Sequence, residues 1–250
     1  MTEGPTSLYN PAPGGLPKGQ PSHGDSMTDD LLSAIEITPD EPVRATVIWL
    51  HGLGADGSDF EPIVPALGLE GQGVRFVFPN APRIAVTINA GMVMPAWYDI
   101  RSVDLERRVD DDGVRSSAAK VSALIDRENA RGIPSKKIVL AGFSQGGAMA
   151  LQVGPRHPQA LAGILALSCY LVDADTLEAE RSDANQATPI LQIHGSNDPM
   201  VRVDSAESAR DRMQELGYSV EWKTYPIGHE VCLEEVQAIG AWLGQRLAAG

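Results

Sequence analysis

Ser135-Lys-Lys-Ile-Val-Leu-Ala-Gly-Phe-Ser-Gln-Gly-Gly147 is the stretch on which the fold turns. A short apolar, β-branched run reaches Ala141, passes at once into small residues, and gives way to a helical pattern from Gly147 onward. Gly142-Phe143-Ser144-Gln145-Gly146 therefore reads as G-x-S-x-G set between a strand and a helix, the context that gives this pentapeptide chemical meaning. So tight a turn forces its central serine to positive φ, which a non-glycine residue adopts only at a cost. Glycines two before and two after it remove side chains that would clash. Gly147 and Ala148 let the new helix pack close to the sheet. The hydroxyl is expected above the C-terminal strand edge, where open α/β sheets bind ligands, with the positive end of a helix dipole aimed at it.

The same alternation runs outward in both directions. Val43–Leu50, Val74–Phe78, Ala162–Ser168, Pro189–Ile193 and Tyr218–Tyr225 read as further strands. Helical periodicity covers Gly113–Arg131, Ser205–Leu216 and Val231–Leu247, with Gly132, Pro134 and Gly217 as stop signals. Strands alternating with helices predict an α/β fold: a mainly parallel central sheet with helices on both faces. Residues 1–28 differ, with five prolines among glycines and serines. They are expected to form a disordered tail, since they cannot bury enough apolar surface to offset ordering. Met27, at its end, is a second candidate start. Residues 29–250 are read as one catalytic domain.

A serine hydroxyl needs an adjacent base, and in folds with this elbow the acid and then the histidine follow the serine along the chain. Of the five histidines, His23 lies in the tail, His51 precedes Ser144, His157 sits at a helix end as a surface or capping residue, and His194 precedes any suitable acid. His229, in the loop between the last strand and the last helix, remains. Asp198 is the one carboxylate in Gly195-Ser-Asn-Asp-Pro199, the turn after the Pro189–Ile193 strand. Its expected role is to accept the His229 Nδ1–H and stabilise the imidazolium. Two backbone N–H groups should hold the oxyanion: Gln145, after the nucleophile, and Leu53, in the glycine-flanked loop behind Leu50.

That loop, Gly52-Leu-Gly-Ala-Asp-Gly57, also spells the dinucleotide fingerprint. The next strand ends in Phe78-Pro79-Asn80 where a ribose-binding acid is needed, and Asp56 and Asp59 would face a pyrophosphate with no nearby base to offset them. No cofactor is expected. The formal charge of -13, from 33 acids against 20 bases, disfavours nucleic acid. No apolar run approaches the roughly 20 residues of a membrane span, and no charged start precedes an apolar stretch, so a cytoplasmic location is expected. Cys169 and Cys232 form neither a disulfide framework nor a metal site. Cys232, close to His229, begins a helix and lacks a base of its own.

Taken together, His51–Gly57, Thr87–Met92 running on to Ala96–Ile100, Gly142–Gly147, Asp198-Pro199 and Gly228-His-Glu230 resemble, in order, the phospholipase/carboxylesterase family of α/β-hydrolases. The likeness runs from about Pro42 to the C-terminus. It implies Ser144, Asp198 and His229 as a triad, with no metal or cofactor. It implies that the segment 81–100 folds over the site and lines an apolar acyl channel with Leu53, Trp97, Tyr170, Leu171 and Met200. It also admits a homodimer. The Trp97-Tyr-Asp run is more similar to the bacterial carboxylesterase branch than to the thioesterases. The expected activity is hydrolysis of short- to medium-chain carboxylic esters, small-molecule or lipid. A thioesterase or lysophospholipase with the same triad is the alternative, and a catalytically silent binding protein is the rival from another class.

Overall fold

The computed structural model describes residues 31–102 and 110–248. The tail expected over residues 1–28 lies outside them. In chain order the strands are β1 (Ala34–Ile37), β2 (Ala45–Leu50), β3 (Val74–Pro79), β4 (Arg83–Val86), β5 (Met92–Pro95), β6 (Ile138–Phe143), β7 (Gly163–Leu167), β8 (Ile190–Gly195) and β9 (Val220–Tyr225). The helices are α1 (Asp111–Ala130), α2 (Gln145–Val153), α3 (Ala174–Glu180), α4 (Val203–Glu215) and α5 (Leu233–Ala248).

Seven strands form one sheet in the order β1-β3-β2-β6-β7-β8-β9. Only the β1–β3 pair among them is antiparallel. Side chains alternate across a strand, and the two faces of this sheet separate cleanly. Ile48, Leu50, Ile138, Leu140, Ile164 and Ala166 pack on one side with α1, α2, α3 and α4. Val47, Trp49, Val139, Ala141, Leu165 and Leu167 pack on the other with α5 and the 3-10 turn Glu61–Leu67. Both faces are covered, which is why the central strands read as unbroken apolar runs rather than alternating ones. The fold is that of the α/β-hydrolases. β4 and β5 form a separate antiparallel hairpin. Among the described residues no helix is long and apolar enough to cross a membrane.

Candidate active site

The C-terminal ends of β6 and β8 and the loop after β9 bring the chemistry-bearing residues together. Ser144 stands between β6 and α2 at φ 56, ψ -121, the strained conformation expected of an elbow. Backbone contacts hold it there. The Ser144 N–H donates to the Leu167 carbonyl at 2.8 Å, and the Ala148 N–H donates to the Ser144 carbonyl at 3.0 Å. A Cβ on Gly142 would lie 2.1 Å from the Gly146 carbonyl oxygen, and one on Gly146 would lie 2.3 Å from that of Leu50. Neither approach is tolerable with a side chain, so the two glycines are what allow the turn to close against β2.

His229 Nε2 lies 2.9 Å from Ser144 Oγ, and His229 Nδ1 lies 2.6 Å from Asp198 Oδ2. The other carboxylate oxygen accepts N–H bonds from Met200 and Val201 at 2.8 and 2.9 Å. With the carboxylate oriented by two donors, the imidazole carries its proton on Nδ1 and turns the Nε2 lone pair to the hydroxyl. Phe143 packs on the ring at 4.8 Å between centroids. Such a row can deprotonate the serine as it attacks a carbonyl and return the proton to a leaving group.

Gln145 N–H, at the first position of α2, belongs to the set of donors a helix start leaves without an intrahelical acceptor. In the loop after β2, Gly54 N–H is committed to Pro95 O and Ala55 N–H to Gly52 O. The Leu53 N–H between them is the turn's remaining candidate donor toward Ser144. The buried Gln145 side chain has a second task, which its sequence position does not reveal. Its Oε1 accepts from Trp97 N–H at 2.8 Å and its Nε2 donates to Tyr98 O at 2.7 Å. It thus ties the segment leaving the hairpin to the elbow. His51 performs a similar service. Its Nε2 accepts from Ala81 N–H and its Nδ1 donates to Gly52 O, and burial lowers its proton affinity below the ordinary histidine value.

Ser144 opens into an apolar cavity of about 430 Å³ whose walls include Leu53, Ile88, Met94, Ile100, Phe143, Tyr170, Met200 and Val201. Leu53, Tyr170 and Met200, which the resemblance assigned to an acyl channel, are among these walls, and the hairpin supplies Met94 with the 3-10 turn at its tip adding Ile88. Two expected pocket residues do not join them. Trp97 is 1 % exposed, and its indole N–H donates to the His51 carbonyl at 2.8 Å. A buried indole needs an acceptor, and this one draws the ring into the core. Leu171 faces a polar cleft beside α3 and α4 instead. His157 is buried rather than superficial, with Nδ1 2.9 Å from the Gln159 carbonyl. Among the described residues no group of His, Cys, Asp and Glu forms a metal-binding cluster. Both cysteines are free thiols, and burial pushes that of Cys169 far up.

The phospholipase/carboxylesterase family model matches residues 33–246. This chain belongs to that family. It is accordingly a serine hydrolase acting on ester bonds. Acyl-protein thioesterase 1 of Neurospora crassa is 42 % identical over 213 residues, covering 81 % of this chain and 87 % of that protein. A probable carboxylesterase of Oryza sativa is 36 % identical over 210 residues, covering 82 % of this chain and 79 % of its own. The crystal structure of Zea mays acyl-protein thioesterase 2 superposes with a TM-score of 0.76 at 28 % identity, covering 86 % of this chain and 99 % of that one. The family's curated members thus carry both names.

Proposed function

We propose that this chain cleaves acyl thioesters, and oxygen esters of the same acyl groups, with residues 29–250 as the catalytic unit. Ser144 Oγ attacks the acyl carbonyl while His229 takes its proton, and the Leu53 and Gln145 N–H groups hold the oxyanion. The thiol or alcohol departs with the proton from His229. Water, deprotonated by the same imidazole, then releases the acid and restores Ser144. Asp198 holds the imidazole in its tautomer and stabilises the imidazolium. The observation that carries this reading is the hydrogen-bonded row from Asp198 to Ser144 at the floor of an apolar cavity. An intact row of this kind also speaks against a silent binding protein. The thioesterase names of relatives support the sulfur ester over the oxygen ester as preferred substrate.

The test combines fluorophosphonate labelling, read by peptide mass, with kcat/KM on thioesters and oxygen esters of matched acyl length. The expected result is one adduct on Ser144 and a loss of about 10⁵-fold or more in kcat for Ser144→Ala, with the thioester the better substrate. An adduct elsewhere would overturn the assignment of the nucleophile. Inverted selectivity would return the preference to oxygen esters, and equal selectivity would overturn the thioester preference without replacing it.

A further inference from the structure

His194 stands one residue before the end of β8, with its side chain wholly buried. Order along the chain gives it no part in the reaction. Yet its Nε2 donates to the Val201 carbonyl at 2.8 Å and lies 3.6 Å from Asp198 Oδ2. That oxygen is the one His229 uses. Val201 is also the residue whose N–H binds the other oxygen of Asp198. The ring therefore binds the carbonyl of a residue whose N–H aims the carboxylate, and it stands beside the carboxylate oxygen that His229 uses.

Its far nitrogen, Nδ1, is buried and has no hydrogen-bond partner. A neutral imidazole donating from Nε2 can leave Nδ1 as a bare lone pair, whereas an imidazolium would bury an unsatisfied N–H there. The ring stacks on Trp222 of β9 at 6.4 Å and 18°. The Arg210 guanidinium of α4 also lies over that indole, at 5.0 Å. Charged or titratable neighbours facing the ring are Asp198, His229 and Glu207. Burial outweighs the two carboxylates and keeps the ring below ordinary histidine basicity. A neutral His194 does not compete with His229 for the charge of Asp198.

We propose that His194 is a positioning residue: its Nε2–H bond to Val201 closes the 198–201 turn so that Asp198 keeps Oδ2 aimed at His229. The inference rests on the triad assignment above. With the clamp removed the carboxylate swings, the imidazolium loses its stabilising partner and the acyl-transfer step slows. Misplacement on that scale costs about tenfold to hundredfold in rate.

The experiment compares wild type, His194→Leu and His194→Gln, with kcat expressed per site titrated by fluorophosphonate. That normalisation removes any unfolded fraction. For His194→Leu, kcat per titrated site should fall about tenfold to hundredfold with KM changed less than about twofold. The acidic limb of its kcat profile should move to lower pH, because an imidazolium without its carboxylate gives up its proton more readily. The glutamine amide can place its nitrogen where Nε2 was, so His194→Gln should recover most of the rate. Wild-type kcat per site and an unmoved limb in His194→Leu would overturn the proposal. If the leucine variant does not fold, His194→Gln is set against His194→Asn, whose amide is too short to reach Val201. Equal rates in that pair would overturn it as well. Failure of the triad reading is separately visible, as labelling away from Ser144.

Discussion

The elbow and the hairpin meet at the same cavity but are built on opposite principles. From Gly142 to Gly147 nearly everything is backbone against backbone. Ser144 is strained, two glycines sit in space no side chain can share, and α2 behind them is buried along its whole length. The hairpin β4–β5 is attached by a handful of bonds: Gly54 N–H to Pro95 O, Ile88 N–H to Ile100 O, and Thr87 to the Asp99 carboxylate. Both its faces leave an apolar side chain open, with Met92 64 % exposed on one and Val93 55 % exposed on the other. Chemistry that needs sub-ångström placement sits on the part that cannot move, and substrate contact falls to the part that can change without unfolding the molecule. Gln145 is the hinge between the two, since its backbone belongs to the elbow and its side chain holds Trp97 and Tyr98.

That contrast predicts where a single methyl group does most damage. Gly146→Ala puts a Cβ against the Leu50 carbonyl, and the nearest escape displaces the end of β2 together with the Leu53 loop. Destabilisation of about 3 kcal/mol or more is expected from the overpacking, measured as a drop in urea midpoint at unchanged m-value, with kcat falling in the same variant. An elbow that accepts alanine at full stability would show that the backbone contacts are not what define it.

The other face of the sheet carries an electrostatic cost. Glu235, in the first turn of α5, is 1 % exposed, and neither carboxylate oxygen has a hydrogen-bond partner. Burial raises its pKa from 4.5 to about 7, against the pull of the Cys232 backbone N–H. The folded state therefore binds a proton that the unfolded state has already released between those two values. The stability this protonated carboxyl contributes is complete below about pH 4.5 and is lost as pH rises through about 7. Glu235→Gln keeps the shape without the charge. It should gain on the order of 2–3 kcal/mol over wild type at pH 8 and almost nothing at pH 4.5. Denaturant titrations at the two pH values read the difference. A constant offset between the two proteins would mean that the carboxyl is ionised in the fold throughout.

The same division explains what the sequence could tell. The elbow, Asp198 and His229 are legible because local rules govern them: glycines at fixed offsets, a strand before and a helix after, and an order along the chain. β1 escapes notice because Ala34-Ile-Glu-Ile37 is only four half-buried residues, too short for the alternation of Ile35 and Ile37 to register. α3 is seven residues long with a single buried apolar side chain, Leu177, too short for helical periodicity to register. The second role of Gln145 and the clamp by His194 depend on partners fixed by tertiary packing, 47 to 48 residues away for Gln145. No local signature encodes them. Trp97 shows the converse. Its place in the family motif suggested the pocket, but its N–H found a buried carbonyl and took the ring with it.

The smallest expected effect is the most discriminating for the hairpin. Met92→Ser removes an apolar side chain that is 64 % exposed, so stability should stay within about 0.5 kcal/mol of wild type. Turnover of a two-carbon acyl ester should also be unchanged, because Ser144, His229 and the two proposed oxyanion donors are untouched. Long acyl chains are a different matter. The cavity that begins at Ser144 is walled by Met94 and Ile88, and Met92, two residues before Met94 in β5, shares its face. A chain long enough to leave the cavity would run onto that face, and each methylene kept from water there is worth up to about 0.8 kcal/mol. Met92→Ser should therefore lower kcat/KM for long acyl substrates several-fold, entirely through KM, and leave short ones alone. A uniform loss across chain lengths would mean that the hairpin shapes the elbow as well as the channel, and the mechanical separation of the two regions would fail.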